Sequence, residues 1–84
     1  MNVNGYDVSH GQQQACLQAM TGIFKTEDVR GAAIQSGVPE LWQAVSSARV
    51  EDLPGLVANR IINRELRAER IAEEGAPNLY RRLD

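Results

Sequence analysis

The stretch Asn59-Arg60-Ile61-Ile62-Asn63-Arg64-Glu65-Leu66-Arg67 decides how this chain is read. At about 100° per residue, Arg60, Arg64 and Arg67 fall within a sector of roughly 60°, Asn63 flanks them, and Ile61, Ile62 and Leu66 point away. One face suits a core and the other suits an anion. On the N-terminal side, Asp52 before Leu53 and Pro54 marks a helix start, and the helical pattern runs over residues 54–72. Beyond Glu74, the run Gly75-Ala76-Pro77-Asn78 is turn chemistry. It leaves residues 79–82 as a candidate final strand, with residues 70–73 as its partner if the helix ends early.

The preceding segments also read as helical. Residues 1–8 form a short N-terminal arm, with turn chemistry at Gly5 and Asp7 and with Val3, Tyr6 and Val8 as anchors. Ser9 and Gln12 make a capping-box pattern for a first helix over residues 10–21. Its apolar positions Cys16, Leu17, Met20, Ile23 and Phe24 recur at helical spacing. Thr26 is an N-cap candidate for a second helix, with Glu27 and Asp28 complementing the dipole and Gly37 and Pro39 beyond its end. Pro39 also suits the start of a third helix of about ten residues, in which Leu41, Trp42, Val45 and Ala48 share a face. The expected fold class is therefore mainly α: about four helices in a single domain over residues 9–84, with room for a C-terminal β-wing.

Bulk properties bound the function. The 84 residues, 43% hydrophobic and 24% charged, fit one small folded domain. Cys16 is the only cysteine, so no internal disulfide and no four-cysteine metal site can form. No leader pattern and no apolar run of bilayer length is present, which makes the cytoplasm the expected location. The net charge of −2 argues against a protein that coats nucleic acid by bulk attraction. Distribution matters more: residues 1–58 hold three basic and six acidic side chains, whereas residues 59–84 hold six arginines against five acids. The usable positive charge is C-terminal, interleaved with Glu65, Glu69, Glu73 and Glu74.

The order of elements resembles a winged helix-turn-helix domain of the kind found in small bacterial and phage proteins. The residues that carry the resemblance are the helix opening at 24–30 (Phe-Lys-Thr-Glu-Asp-Val-Arg), the recognition-like helix at 56–67 and the wing-like tail that includes Ile71 and Tyr80-Arg81-Arg82. The resemblance implies that the arginine-striped helix enters a DNA major groove while the tail touches the backbone or the minor groove. The segment at 38–51 departs from it, placing an additional helix where a tight helix-turn-helix has only a turn.

On this reading Arg60, Asn63, Arg64 and Arg67 are the base- and phosphate-contacting set, since arginine reaches guanine edges or phosphates and asparagine pairs with adenine. Tyr80, Arg81 and Arg82 would hold the backbone. The expected function is a small DNA-binding regulator or phage-type accessory factor, acting on double-stranded DNA as a homodimer. The rival reading is a helical protein-binding module, such as an inhibitor or adaptor of a host complex, with Leu41, Trp42 and Val45 as interface anchors. His10 stands alone, so no metal site and no cofactor is expected. Cys16 lies on an apolar face away from His10, and the acidic pairs Glu27-Asp28 and Glu51-Asp52 sit at helix starts; no enzyme is expected.

Overall fold

The computed structural model describes residues 1–44 and 48–83. Among them the chain forms three helices and seven short strands in three sheets, an α+β domain, which corrects the mainly α, four-helix expectation. In chain order these are β1 (Asn2–Val3), β2 (Tyr6–Asp7), α1 (His10–Gln18), β3 (Ile23–Lys25), α2 (Thr26–Gln35), β4 (Leu41–Gln43), β5 (Val50–Asp52), α3 (Leu53–Arg67), β6 (Ile71–Glu73) and β7 (Leu79–Arg82).

The N-terminal arm is a hairpin. Val3 pairs with Tyr6 across a two-residue loop, Asn4-Gly5, in which both residues take positive φ, 49° and 89°. That is the Asn-Gly turn whose twist matches a right-handed strand pair. Val3 and Val8 belong to the same buried cluster as the helices, so residues 1–8 pack as part of the domain.

The helix starts follow from local chemistry. Ser9 accepts from the Gln12 backbone N–H at 3.1 Å, and the Gln12 side chain accepts from the Ser9 N–H at 3.0 Å. Asp52 accepts from the Gly55 N–H at 3.3 Å and so caps α3. α2 begins one residue earlier than Thr26 as N-cap would have it, because the Asp28 carboxylate accepts from the Lys25 N–H at 2.8 Å.

The helix ends fall short of the sequence pattern. α1 stops at Gln18 because Ile23–Lys25 is drawn into a strand whose Phe24 pairs with Tyr80. α3 stops at Arg67, well before residue 72, because Glu69 takes a left-handed φ of 58°. The Glu69 N–H then bonds the Leu66 carbonyl and the Arg70 N–H bonds the Glu65 carbonyl, each at 3.0 Å, a Schellman closure. Gly37, at φ 100°, closes α2 in the same way.

The expected third helix is instead the hairpin β4–β5, with Leu41 opposite Asp52, Trp42 opposite Glu51 and Gln43 opposite Val50. A ten-residue helix is marginal alone. As a strand, the segment sends Trp42 to one face, where its ring meets Tyr6 edge-on at 5.3 Å, and leaves Leu41 and Gln43 on the other. Val45, expected on the helical face, lies outside the described residues.

β3, β7 and β6 form an antiparallel sheet in that order. It packs with α2 and α3 around Phe24, Val29, Ala33, Val57, Ile61 and Ile71, all fully or nearly fully buried. The β6–β7 hairpin turn abuts the start of α2: the Thr26 N–H donates to the Asn78 carbonyl at 3.1 Å.

Candidate functional site

α3 has two distinct faces. Leu53, Val57, Ala58, Ile61, Ile62 and Glu65 are buried, whereas Asn59, Arg60, Asn63 and Arg67 are exposed. Arg60, Asn63, Arg64 and Arg67 line one groove of ≈ 720 Å³ together with Met1 and Ala68, so the structure brings the four helix residues together.

They differ in how they are held. Arg64 donates from Nη1 to Gln13 Oε1 at 3.0 Å, and its Nε lies 3.8 Å from Glu65. Neither Arg60 nor Arg67 has an ion-pair partner among the described residues, and the Asn63 amide between them makes no side-chain hydrogen bond there. Two of the glutamates interleaved with these arginines in sequence are bound by other arginines. Glu65 is buried beneath Arg70, which it binds at 2.9 and 2.6 Å, and Glu74 pairs with Arg81 at 3.0 Å. The hydrogen bonds from Arg70, opposed by burial, hold the Glu65 carboxyl below its ordinary value.

The tail residues do not join this groove. Strand alternation turns Tyr80 inward, where one face of its half-buried ring stacks on Phe24 at 5.7 Å. Arg81 lies on the opposite face with Glu74. Arg82 lines a different cleft, with Arg64 and Arg70. The expected backbone clamp of Tyr80, Arg81 and Arg82 is thus divided among three surroundings.

The structure adds residues that the sequence left unmarked. A second groove of ≈ 570 Å³ runs between α3, the start of α2 and the β6–β7 turn, lined by Lys25, Thr26, Asn59, Ala76 and Asn78 among others. Asn59 precedes Asn63 by four residues and shares its exposed face, a helical spacing visible in the sequence. Arg30 also borders this groove but is occupied: its Nε lies 3.2 and 3.0 Å from the Asp52 oxygens. That bond, ahead of the Gly55 N–H, draws the Asp52 carboxyl below its usual range.

The expected interface anchors separate. Leu41 is 75% exposed and shares its hairpin face with Val50, 59% exposed. Trp42 is committed internally, donating from Nε1 to the Asn4 carbonyl at 2.8 Å, while the Asn4 amide donates to Glu51 at 2.7 Å. Two hairpins are joined through that tryptophan. His10 is exposed at the first residue of α1, and burial pushes the Cys16 thiol up, away from the nucleophilic thiolate. No cluster of three metal-ligating side chains occurs among the described residues, and no described helix is long and apolar enough to cross a membrane. No protein-family model matches the chain, and no curated protein or solved structure matches it either.

Proposed function

We propose that this domain binds duplex DNA, with α3 lying in the major groove and Arg60, Asn63, Arg64 and Arg67 meeting base edges and phosphates. The observation that carries the reading is the state of Arg60 and Arg67: exposed on one helix face and without ion-pair partners among the described residues, while Glu65 and Glu74 are neutralised elsewhere. The order α1, β3, α2, α3, β6–β7 keeps the resemblance to a winged helix-turn-helix, with the β4–β5 hairpin in place of the turn. Asn59 and Lys25 extend the contact toward the β6–β7 turn. A homodimer would double an arginine surface that is small in one subunit.

Fluorescence anisotropy with random duplex DNA tests this. Three arginine–phosphate contacts per subunit give a slope of log affinity against log salt of about −2.7. The double substitution Arg60→Ala with Arg67→Ala is expected to reduce that slope by about two and to remove most of the binding. Absence of binding at low salt, or indifference to the double substitution, overturns the reading.

Leu41 and Val50 favour a second reading, a protein-binding domain that uses the outer face of β4–β5. Placing aspartate at both positions would then abolish capture of a protein partner and leave DNA affinity unchanged.

A further inference from the structure

The exposed face of α3 is not uniform. On a helical projection Asn59 and Asn63 lie about 40° apart, and Arg67, Arg60 and Arg64 follow in that order on one side of them. The amides thus form a stripe of their own. It is bordered on one side by the arginine groove of ≈ 720 Å³ and on the other by the groove of ≈ 570 Å³, which Asn59 lines together with Lys25. Neither amide makes a side-chain hydrogen bond among the described residues. The two acids that line the Lys25 groove, Glu27 and Asp52, both face Arg30, at 3.8 and 3.0 Å.

We infer that Asn59 and Asn63 read two adenines about two base-pair steps apart in the major groove, while Arg60, Arg67 and Lys25 hold the phosphates on either side. This rests on the proposed duplex binding and adds its sequence preference. A carboxamide carries one acceptor and two donors, and adenine presents its N6 amino donor beside its N7 acceptor, so one asparagine makes two bonds to it. Guanine presents two acceptors there, cytosine a donor, and thymine an acceptor with a methyl group; none matches the amide in that way. Four residues of α-helix rise about 6 Å, close to two base-pair steps of about 3.4 Å each. Side-chain length divides the labour. Asparagine reaches only a base edge directly beneath the helix, whereas the longer arginine and lysine stems extend from the stripe to the two backbones. Because both amides are uncommitted among the described residues, no internal bond there is broken when they pair with a base.

The test is affinity selection from a random duplex library, read by sequencing, which is expected to enrich duplexes carrying two adenines about two steps apart. Anisotropy then compares an enriched duplex with an all-G·C duplex of equal length. Asn59→Ala and Asn63→Ala should each lower the ratio of the two affinities by about tenfold. With the unaltered protein, 7-deazaadenine at the two positions removes the N7 acceptors and should lower the same ratio. That modified duplex meets intact protein, so a loss caused by unfolding cannot imitate the result. Arg60→Ala with Arg67→Ala weakens binding to both duplexes and keeps the ratio. Binding to the all-G·C duplex without an enriched adenine pair, or a ratio unmoved by both asparagine substitutions, overturns this inference and leaves duplex binding standing. Failure to bind any duplex at low salt overturns both.

Discussion

Glu65 and Arg70 close the end of α3 twice over: the Arg70 N–H bonds the Glu65 carbonyl at 3.0 Å, and the Arg70 guanidinium grips the Glu65 carboxylate at 2.9 and 2.6 Å. One residue pair thus stops a helix, starts a strand and neutralises the only buried acid among the described residues.

Replacing Glu65 with alanine should cost about 2 kcal/mol, since a buried acceptor of charge-assisted hydrogen bonds is lost and Arg64, Arg70 and Arg82 repel one another. Urea unfolding measures it. The Glu65 carboxyl is depressed in the folded state, so its stabilising contribution is complete above the ordinary value of about 4.3 and is lost as pH falls through the lower folded value. Glu65→Gln should flatten the acid limb of stability against pH and leave the neutral-to-alkaline limb parallel.

Glu69→Gly should stabilise the protein by about 0.5–1 kcal/mol, because Glu69 holds a left-handed φ of 58° that glycine adopts without a side-chain clash. Ala68→Gly, one residue earlier at φ −82°, should destabilise. Opposite shifts in thermal midpoint distinguish a backbone effect from a loss of side-chain contacts.

Trp42 is the single tryptophan and reports on the junction of the two hairpins. Gly5→Ala forces a side chain into φ 89° and should cost about 1–2 kcal/mol, with the Trp42 emission shifting to the red as its bond to the Asn4 carbonyl loosens. An unshifted emission spectrum would show that the β1–β2 hairpin does not hold the ring.

Asp52 serves α3 as cap and α2 as ion-pair partner. Asp52→Ala should lower stability by about 1 kcal/mol, whereas Asp52→Asn keeps a capping oxygen and should cost only a few tenths. Equal losses from both substitutions would mean that Arg30, and not the cap, is what Asp52 holds.

The amphipathic α3 face, the Ser9-Gln12 box and the Asp52 cap were legible because each rests on groups within about one turn of one another. The strands at 71–73 and 79–82 were legible as candidates through the Gly-Ala-Pro-Asn turn between them. The Asn4-Gly5 dipeptide is a local hairpin signal, of which only the turn chemistry of Gly5 was read from the sequence.

Residues 23–25 and 41–43 were not legible, for a physical reason. Three apolar or mixed residues satisfy a helical stripe as readily as a strand, and the hydrogen bonds that decide come from partners far along the chain: Tyr80 for Phe24, and the Asn4 carbonyl for the Trp42 indole. The candidate site divides in the same way. Helical periodicity alone grouped Arg60, Asn63, Arg64 and Arg67. Which arginines stay free was decided beyond the helix itself: Arg64 finds Gln13 only once α1 has packed against α3, Arg81 finds Glu74 within the β6–β7 hairpin, and Arg70 finds Glu65 only where the chain turns back after α3.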